Sequence, residues 1–207
     1  PWPFPPENAG EAPEFRFDPH VWTSPKRARI QVENLGAGLA AAAPDAAASI
    51  NAATASYLED LDALDAWATA SIETVPEGQR VLFTSHDAFG YFSGDYGIRF
   101  IGAALTDFND QQDATADHIA SAVQAVKDSG AVALFAENSN NSKSIEAIAR
   151  GAGVTPIVGD DALYGDSLGP DGSAGATYVG SIIHNVRAVT DAWGGTAPAL
   201  PERLAGQ

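Results

Sequence analysis

The chain contains no cysteine and no methionine, and it has only 11 lysines and arginines against 27 aspartates and glutamates. Without cysteine there is no disulfide framework, no thiolate metal site and no cysteine nucleophile. The shortage of basic residues leaves a formal net charge of −16 at pH 7. That argues against nucleic-acid binding, which needs a basic footprint, and against a polybasic membrane anchor. An acidic chain attracts cations without naming one. No apolar run approaches the ~18 residues that cross a bilayer, and no signal peptide is visible. No GxGxxG or GxxxxGK[ST] follows any candidate strand, which removes the usual phosphate-cradling loops. The first residue is Pro1, so a processed or partial product is expected.

What the 207 residues do contain is enough apolar material, 45%, to build a core. Residues 1–19 are dense in proline and show no period, and they read as an extended loop. Ser24 followed by Pro25 suits a helix N-cap and first turn, with a helix over 26–43 that stops at Pro44. A longer helix fits 45–72. Its apolar stripe runs through Ile50, Tyr57, Leu61, Leu64 and Ala68, and its alanine content suggests a strut more than a core element. From Gln79 the texture changes. Strands are expected over 80–84, 99–103, 131–135 and 154–158, alternating with helices over 88–96, 113–127, 142–150 and 174–193. This is an α/β pattern, a parallel four-stranded sheet lobe flanked by helices.

In such sheets ligands bind beyond the carboxyl ends of the strands. Ser85, His86 and Asp87 follow the first strand, and Asp107, Phe108 and Asn109 the second. Glu137 and Asn138 follow the third, and Asp160, Asp161 and Asp166 the fourth. One sheet edge should therefore gather a histidine and several oxygen donors. Of the four histidines, His118 and His184 sit in helical stretches and read as surface or half-buried imidazoles. His20 and His86 lie in the local motifs DPHVW and TSHDAFGYF. Their spacing matches no short zinc signature, and the residues alone leave open whether they share a metal.

Taken in order, DPHVWTSP, VLFTSHDAFGYFSGDYGI, ENSNNSKSIEAIARGAGV and GDSLGPDGSAGATYVGSIIHNV resemble the zinc- and manganese-binding extracytoplasmic solute-binding proteins of ABC importers. The resemblance runs from about residue 17 to 194. It implies two α/β lobes joined by one long rigid helix, with the metal held between them. It identifies His20, His86 and Asp166 as metal ligands and the helix over 45–72 as the interlobe strut. It implies that the amino-terminal lobe is largely absent and that the chain is about the carboxyl-terminal two-thirds of such a receptor. The implied organisation is residues 1–24 as an extended loop carrying one ligand, 25–75 as helices, 76–195 as the metal-binding lobe and 196–207 as a tail.

The implied ligand is a divalent transition metal, captured outside the cytoplasm and passed to the membrane subunits of the importer. The chain itself carries no transmembrane segment, and periplasmic or cell-surface lipoprotein placement is expected. Two imidazoles and one carboxylate suit zinc with one position open. Manganese prefers more oxygen, which a bidentate Asp166 would supply. Asp18, Asp87 and Glu137 are candidates to orient the imidazoles, although Asp87 equally suits a helix cap. Trp22, Phe89, Tyr91 and Phe92 read as packing residues. With its own lobe missing, His20 is expected to be loosely placed, and the helix over 26–43 to expose apolar surface. A strut that bends little predicts small lobe shifts on capture. An adhesin or interaction module without metal transport, or a zinc hydrolase, are the alternatives. No motif for acid–base catalysis supports the latter, and the adjacent Ser85, His86 and Asp87 do not make a catalytic triad.

Overall fold

The computed structural model describes residues 17–105 and 116–206. The expected segments over 1–16, Asp107, Phe108, Asn109 and the start of the fourth helix at Asp113 lie outside them. The order is α1 (Pro25–Ala42), α2 (Ala47–Ile72), β1 (Val81–Thr84), α3 (Gly90–Asp95), β2 (Arg99–Ala103), α4 (Ala116–Ser129), β3 (Ala133–Phe135), α5 (Lys143–Ala152), β4 (Thr155–Ile157) and α6 (Tyr178–Ala192). Among the described residues no helix is long and apolar enough to cross a membrane.

The strands pair in parallel, as the alternation of short apolar runs and amphipathic helices leads one to expect, but the expected four-stranded sheet is divided into two sheets of two strands. They are hydrogen-bonded in two pairs, β1 with β2 and β3 with β4, and β1 lies beside β3. The strands are only three to five residues long, and the register of β1 on β2 shifts between Leu82 and Thr84. Side chains tie the two pairs together just beyond the strand ends. The Glu137 amide donates to Ser85 Oγ at 3.1 Å, and the His86 amide donates to Glu137 Oε1 at 2.9 Å.

Both faces of these strands are covered. Leu82, Ala133 and Phe135 belong to a core with α2, α3 and α6, whereas Val81, Phe83 and Leu134 pack with α4 and α5. The switch of face at every residue is the two-residue period of a strand buried on both sides. The long helix is more than a strut. Its second half places Leu61, Leu64, Trp67, Ala68 and Ile72 in the core. Its first half pairs with α1, where a side chain at Gly36 would run into Thr54. Ile30, Leu35 and Leu39 of α1 are exposed, as anticipated for that helix.

Ser24 does not cap α1 with its side chain. Its hydroxyl donates instead to Asp95 Oδ2 at 2.7 Å, and Arg27 grips both oxygens of the same carboxylate at 2.9 and 2.8 Å. A bidentate Arg–carboxylate pair has a fixed geometry, so the start of α1 is pinned to the end of α3. That brings the turn before α1 against the loop after β1. At the other end of the chain, residues beyond α6 run back along α2. Thr196 N donates to Thr74 Oγ1 at 3.0 Å and Trp67 Nε1 to Pro198 O at 3.0 Å. Leu204 is buried in the core, and Arg203 reaches Ser56 O and Glu59, both at 2.9 Å.

Candidate metal centre

Three loops meet at the carboxyl edge of the strands. The first is the 3-10 turn Val21–Thr23, preceded by His20. The Asp18 carboxylate accepts the His20 amide at 2.8 Å and lies 2.7 Å from its Nδ1. The aspartate thus fixes backbone and ring together. The second loop carries His86, held by the Thr84 hydroxyl, which donates to the His86 carbonyl at 2.7 Å. The third follows β4. There the backbone of Leu163 pairs with β3 through Ala136 O at 2.9 Å, while the Asn138 amide returns a bond to Leu163 O at 2.8 Å. This extended pairing carries Asp166 alongside Glu137.

The three side chains converge. One donor atom each from His20, His86 and Asp166 lies within 4.8 Å of the others. His20 Nε2 is 3.7 Å from Asp166 Oδ1, and His86 Nε2 is 2.9 Å from Asp166 Oδ2. Ligands at ~2.0–2.2 Å around a tetrahedral zinc stand ~3.3 Å apart, so these spacings fit one ion. The imidazole side chains are 3% and 4% exposed, whereas Asp166 is 36% exposed. The cup therefore opens on the carboxylate side.

Each imidazole has a carboxylate behind it. For His20 it is Asp18. For His86 it is Glu137, whose Oε2 lies 2.6 Å from Nδ1. Such a carboxylate favours the proton on Nδ1 and leaves Nε2 to a metal, with raised basicity. His20 is 2% exposed and held at two atoms, so the expected looseness is not found: its anchor is Asp18, two residues away. Asp87 behaves differently from the other two acids. It does not cap α3, whose N-cap is Phe89, and both its carboxylate oxygens are buried without a hydrogen-bond partner. Burial, reinforced by the charge of Asp18, pushes its pKa up to about 7.

The electrostatics of the cup centre on His86. Burial opposes its charge, but pairing with Asp166 and Glu137 outweighs that and holds its pKa up to about 10. Burial also pushes Glu137 up, while the pairing with His86 pulls Asp166 down. The residues fit a divalent cation on two counts. Both ring nitrogens of His86 are buried without an aligned hydrogen bond, which is costly for a polar atom and would be relieved at Nε2 by a metal. The donor set itself is two nitrogens and a carboxylate, the set that zinc accepts.

The strand-end rule places His86, Glu137 and Asp166 together. Asp160 and Asp161 are exposed in a separate 3-10 turn. His118 and His184 face the carbonyls of Ala103 and Ala162 at 3.2 and 3.0 Å, away from the cup. Phe89 and Phe92 are core residues, as expected. Three residues shape the cup in ways the sequence alone does not assign: Trp22 reads there as packing, and Gly165 and Asn185 lie in motifs without a role. Gly165 has no room for a side chain, because a Cβ there would strike the Glu137 carboxylate. Asn185 on α6 clamps Tyr164 through both backbone groups, accepting from its N and donating to its O at 2.8 Å each. Trp22 donates from Nε1 to Gly165 O at 3.0 Å. All three act on groups remote in sequence, backbone for Asn185 and Trp22 and a carboxylate for Gly165, where no local period records them.

Comparison with known proteins agrees with this architecture. The family model described as zinc-uptake complex component A, periplasmic (ZnuA), matches residues 5–192. The manganese-binding lipoprotein MntA of Bacillus subtilis (strain 168) is 35% identical over 179 residues, 85% of this chain and 58% of that protein. The zinc-binding protein TroA of Treponema pallidum (strain Nichols) is 33% identical over 184 residues, 86% of this chain and 58% of its own length. The solved structure of the periplasmic zinc-binding protein TroA superposes with a TM-score of 0.78 at 30% identity, covering 88% of this chain and 66% of that one. The chain thus spans about three-fifths of the length of these curated relatives.

Proposed function

The chain belongs to the ZnuA family of periplasmic zinc-uptake components, and from that membership we propose that it holds a divalent first-row transition metal between His20, His86 and Asp166. The observation that carries the reading is the convergence of these three donors within 4.8 Å, with Asp18 and Glu137 behind the imidazoles. The metal is cargo. The whole protein captures it outside the cytoplasm, as a periplasmic or surface-anchored lipoprotein, and hands it to the membrane subunits of an ABC importer. It is a transport receptor and not an enzyme. Zinc is favoured over manganese, because two neutral imidazoles and one carboxylate are a nitrogen-rich set. The relatives include proteins named for each metal, so the donor set, and not the family, carries that preference.

Within this reading α2 is the strut that joins the metal lobe, residues 76–195, to the remainder of a receptor. The helix is locked into the core from Leu61 to Ile72, so capture proceeds by small movements of the three ligand loops. Loading requires the proton on His86 Nε2 to leave, since a metal takes that lone pair.

Elemental analysis of the purified chain after exposure to equimolar zinc and manganese tests the proposal, beside a His86→Ala, Asp166→Ala double variant. One zinc per chain in the parent and none in the folded variant is the expected result. Equal metal in both, or none in the parent, would overturn it.

A further inference from the structure

We propose that Trp22 is a positioning residue that couples the His20 turn to the Asp166 loop, and so sets how fast the metal leaves. The inference rests on the metal reading given above. Among the described residues Trp22 is tied at three points, two of them in the cup and one on α6. Its ring meets the His20 imidazole edge-on, with centroids 5.3 Å apart and planes at 70°. Its indole N–H donates to the carbonyl of Gly165, the residue before Asp166, at 3.0 Å. Its own carbonyl accepts the Tyr178 hydroxyl at 2.8 Å, which ties it to the first residue of α6.

The Asp166 loop depends on such a contact. The carboxylate is the most exposed of the three ligands, and its ion-pair contacts are to the two imidazoles that would share the metal. Gly165 tolerates no side chain, so its carbonyl is the handle it offers. Asn185 fixes the backbone of Tyr164, and the Trp22 indole fixes the next residue. With that bond made, Asp166 faces both Nε2 atoms. With it broken, the carboxylate is free to swing outward through the open side of the cup, and the ion loses the one ligand that is not buried. Trp22 touches no metal; it acts through Asp166.

The test compares wild type, Trp22→Phe and Tyr178→Phe. The first keeps an aromatic ring and removes the indole donor; the second removes the bond that steadies Trp22 from α6. Zinc dissociation into a chromophoric chelator is expected to be ~10-fold faster in Trp22→Phe, the low end of the effect of a residue supporting a ligand, and intermediate in Tyr178→Phe. Trp193→Phe, which loses an indole bond to Val81 O, should lower Tm without changing the rate. In an Asp166→Ala background Trp22→Phe should change zinc affinity no further. In the metal-free protein, amide exchange over 165–168 should accelerate in Trp22→Phe. An unchanged dissociation rate would overturn the inference, as would an equal effect with and without Asp166. If wild type itself holds no zinc, the metal reading fails, and the metal-free exchange measurement still decides whether Trp22 positions the loop.

Discussion

Glu137 holds His86 at two points: one carboxylate oxygen accepts the His86 amide at 2.9 Å, and the other lies 2.6 Å from its Nδ1. The same acid is fully buried, and among the described residues its ion pair is with His86. Glu137→Gln keeps the shape and the amide contact but removes the charge. Zinc affinity should fall ~10–100-fold, the usual cost of losing an outer partner of a metal-binding histidine, while the fold is retained. Asp18→Asn should do the same through His20. Competition titration with a chelator of known affinity measures both; an unchanged Kd in either would remove that acid from the site.

The raised proton affinity of His86 makes metal binding pH-dependent. In the metal-free protein the imidazole keeps its proton up to about 10, and zinc must displace it. Affinity should therefore rise with pH through the neutral range, with close to one proton released per zinc. Calorimetry in buffers of different ionisation enthalpy reads that proton directly. A pH-independent enthalpy and affinity between pH 6 and 9 would contradict the assignment of His86 as a ligand.

The same shift has the opposite sign for the metal-free fold. A group whose proton is held more tightly in the folded state stabilises that state fully below its unfolded pKa, here the ordinary 6.5, and loses the contribution as pH rises toward 10. Glu137, also pushed up, acts in the same direction. Metal-free protein should thus melt at progressively lower temperature above neutrality, in the range where zinc binds better. His86→Gln should flatten that alkaline slope. A slope equal in both proteins would place its origin elsewhere.

Gly165 offers a steric test. A methyl group there meets the Glu137 carboxylate and approaches His86 Cε1 at 3.6 Å. Gly165→Ala should push the Asp166 loop away from the strand edge and weaken zinc binding at least as much as Glu137→Gln. The cost in stability should be modest, because the loop can move outward. Asn185→Ala is the contrasting case: it leaves two backbone groups of Tyr164 unpaired beside a buried helix and should cost ~2–4 kcal/mol in chemical denaturation as well as metal affinity. If Gly165→Ala bound zinc normally, the tight approach would have no functional weight.

How much of this was legible in the residues can be followed side chain by side chain. β2 was read at its exact bounds, and the edge rule gathered His86, Glu137 and Asp166 from strand order alone, because alternation of strand and helix fixes which ends face the same way. Asp18 is readable as a partner for His20, since only Pro19 stands between them. Ser24 is the N-cap residue of α1 and Pro25 lies in its first turn, as the serine–proline pattern indicates; what the pattern does not record is that Asp95 on α3 takes the hydroxyl. Asp87 is open to two readings, a helix cap or an imidazole partner; α3 takes Phe89 as its N-cap, and the carboxylate oxygens make no hydrogen bond. Trp22 was read as packing, and its donor function stayed hidden because Gly165 lies 143 residues away. Asn185 shows no role in its motif, because it works on the backbone of Tyr164, 21 residues earlier.

The return of the chain along α2 bears on how the protein comes into being. Arg203 closes onto Ser56 across a separation of 147 residues, and Leu204 fills the core beside the same helix. A chain that emerges from its amino terminus therefore exposes α2 long before the segment that seals it exists. Contacts so distant in sequence form late. Until Arg203 and Leu204 have emerged, the flank of α2 that they cover stays open, so these two residues complete the packing of a helix made long before them.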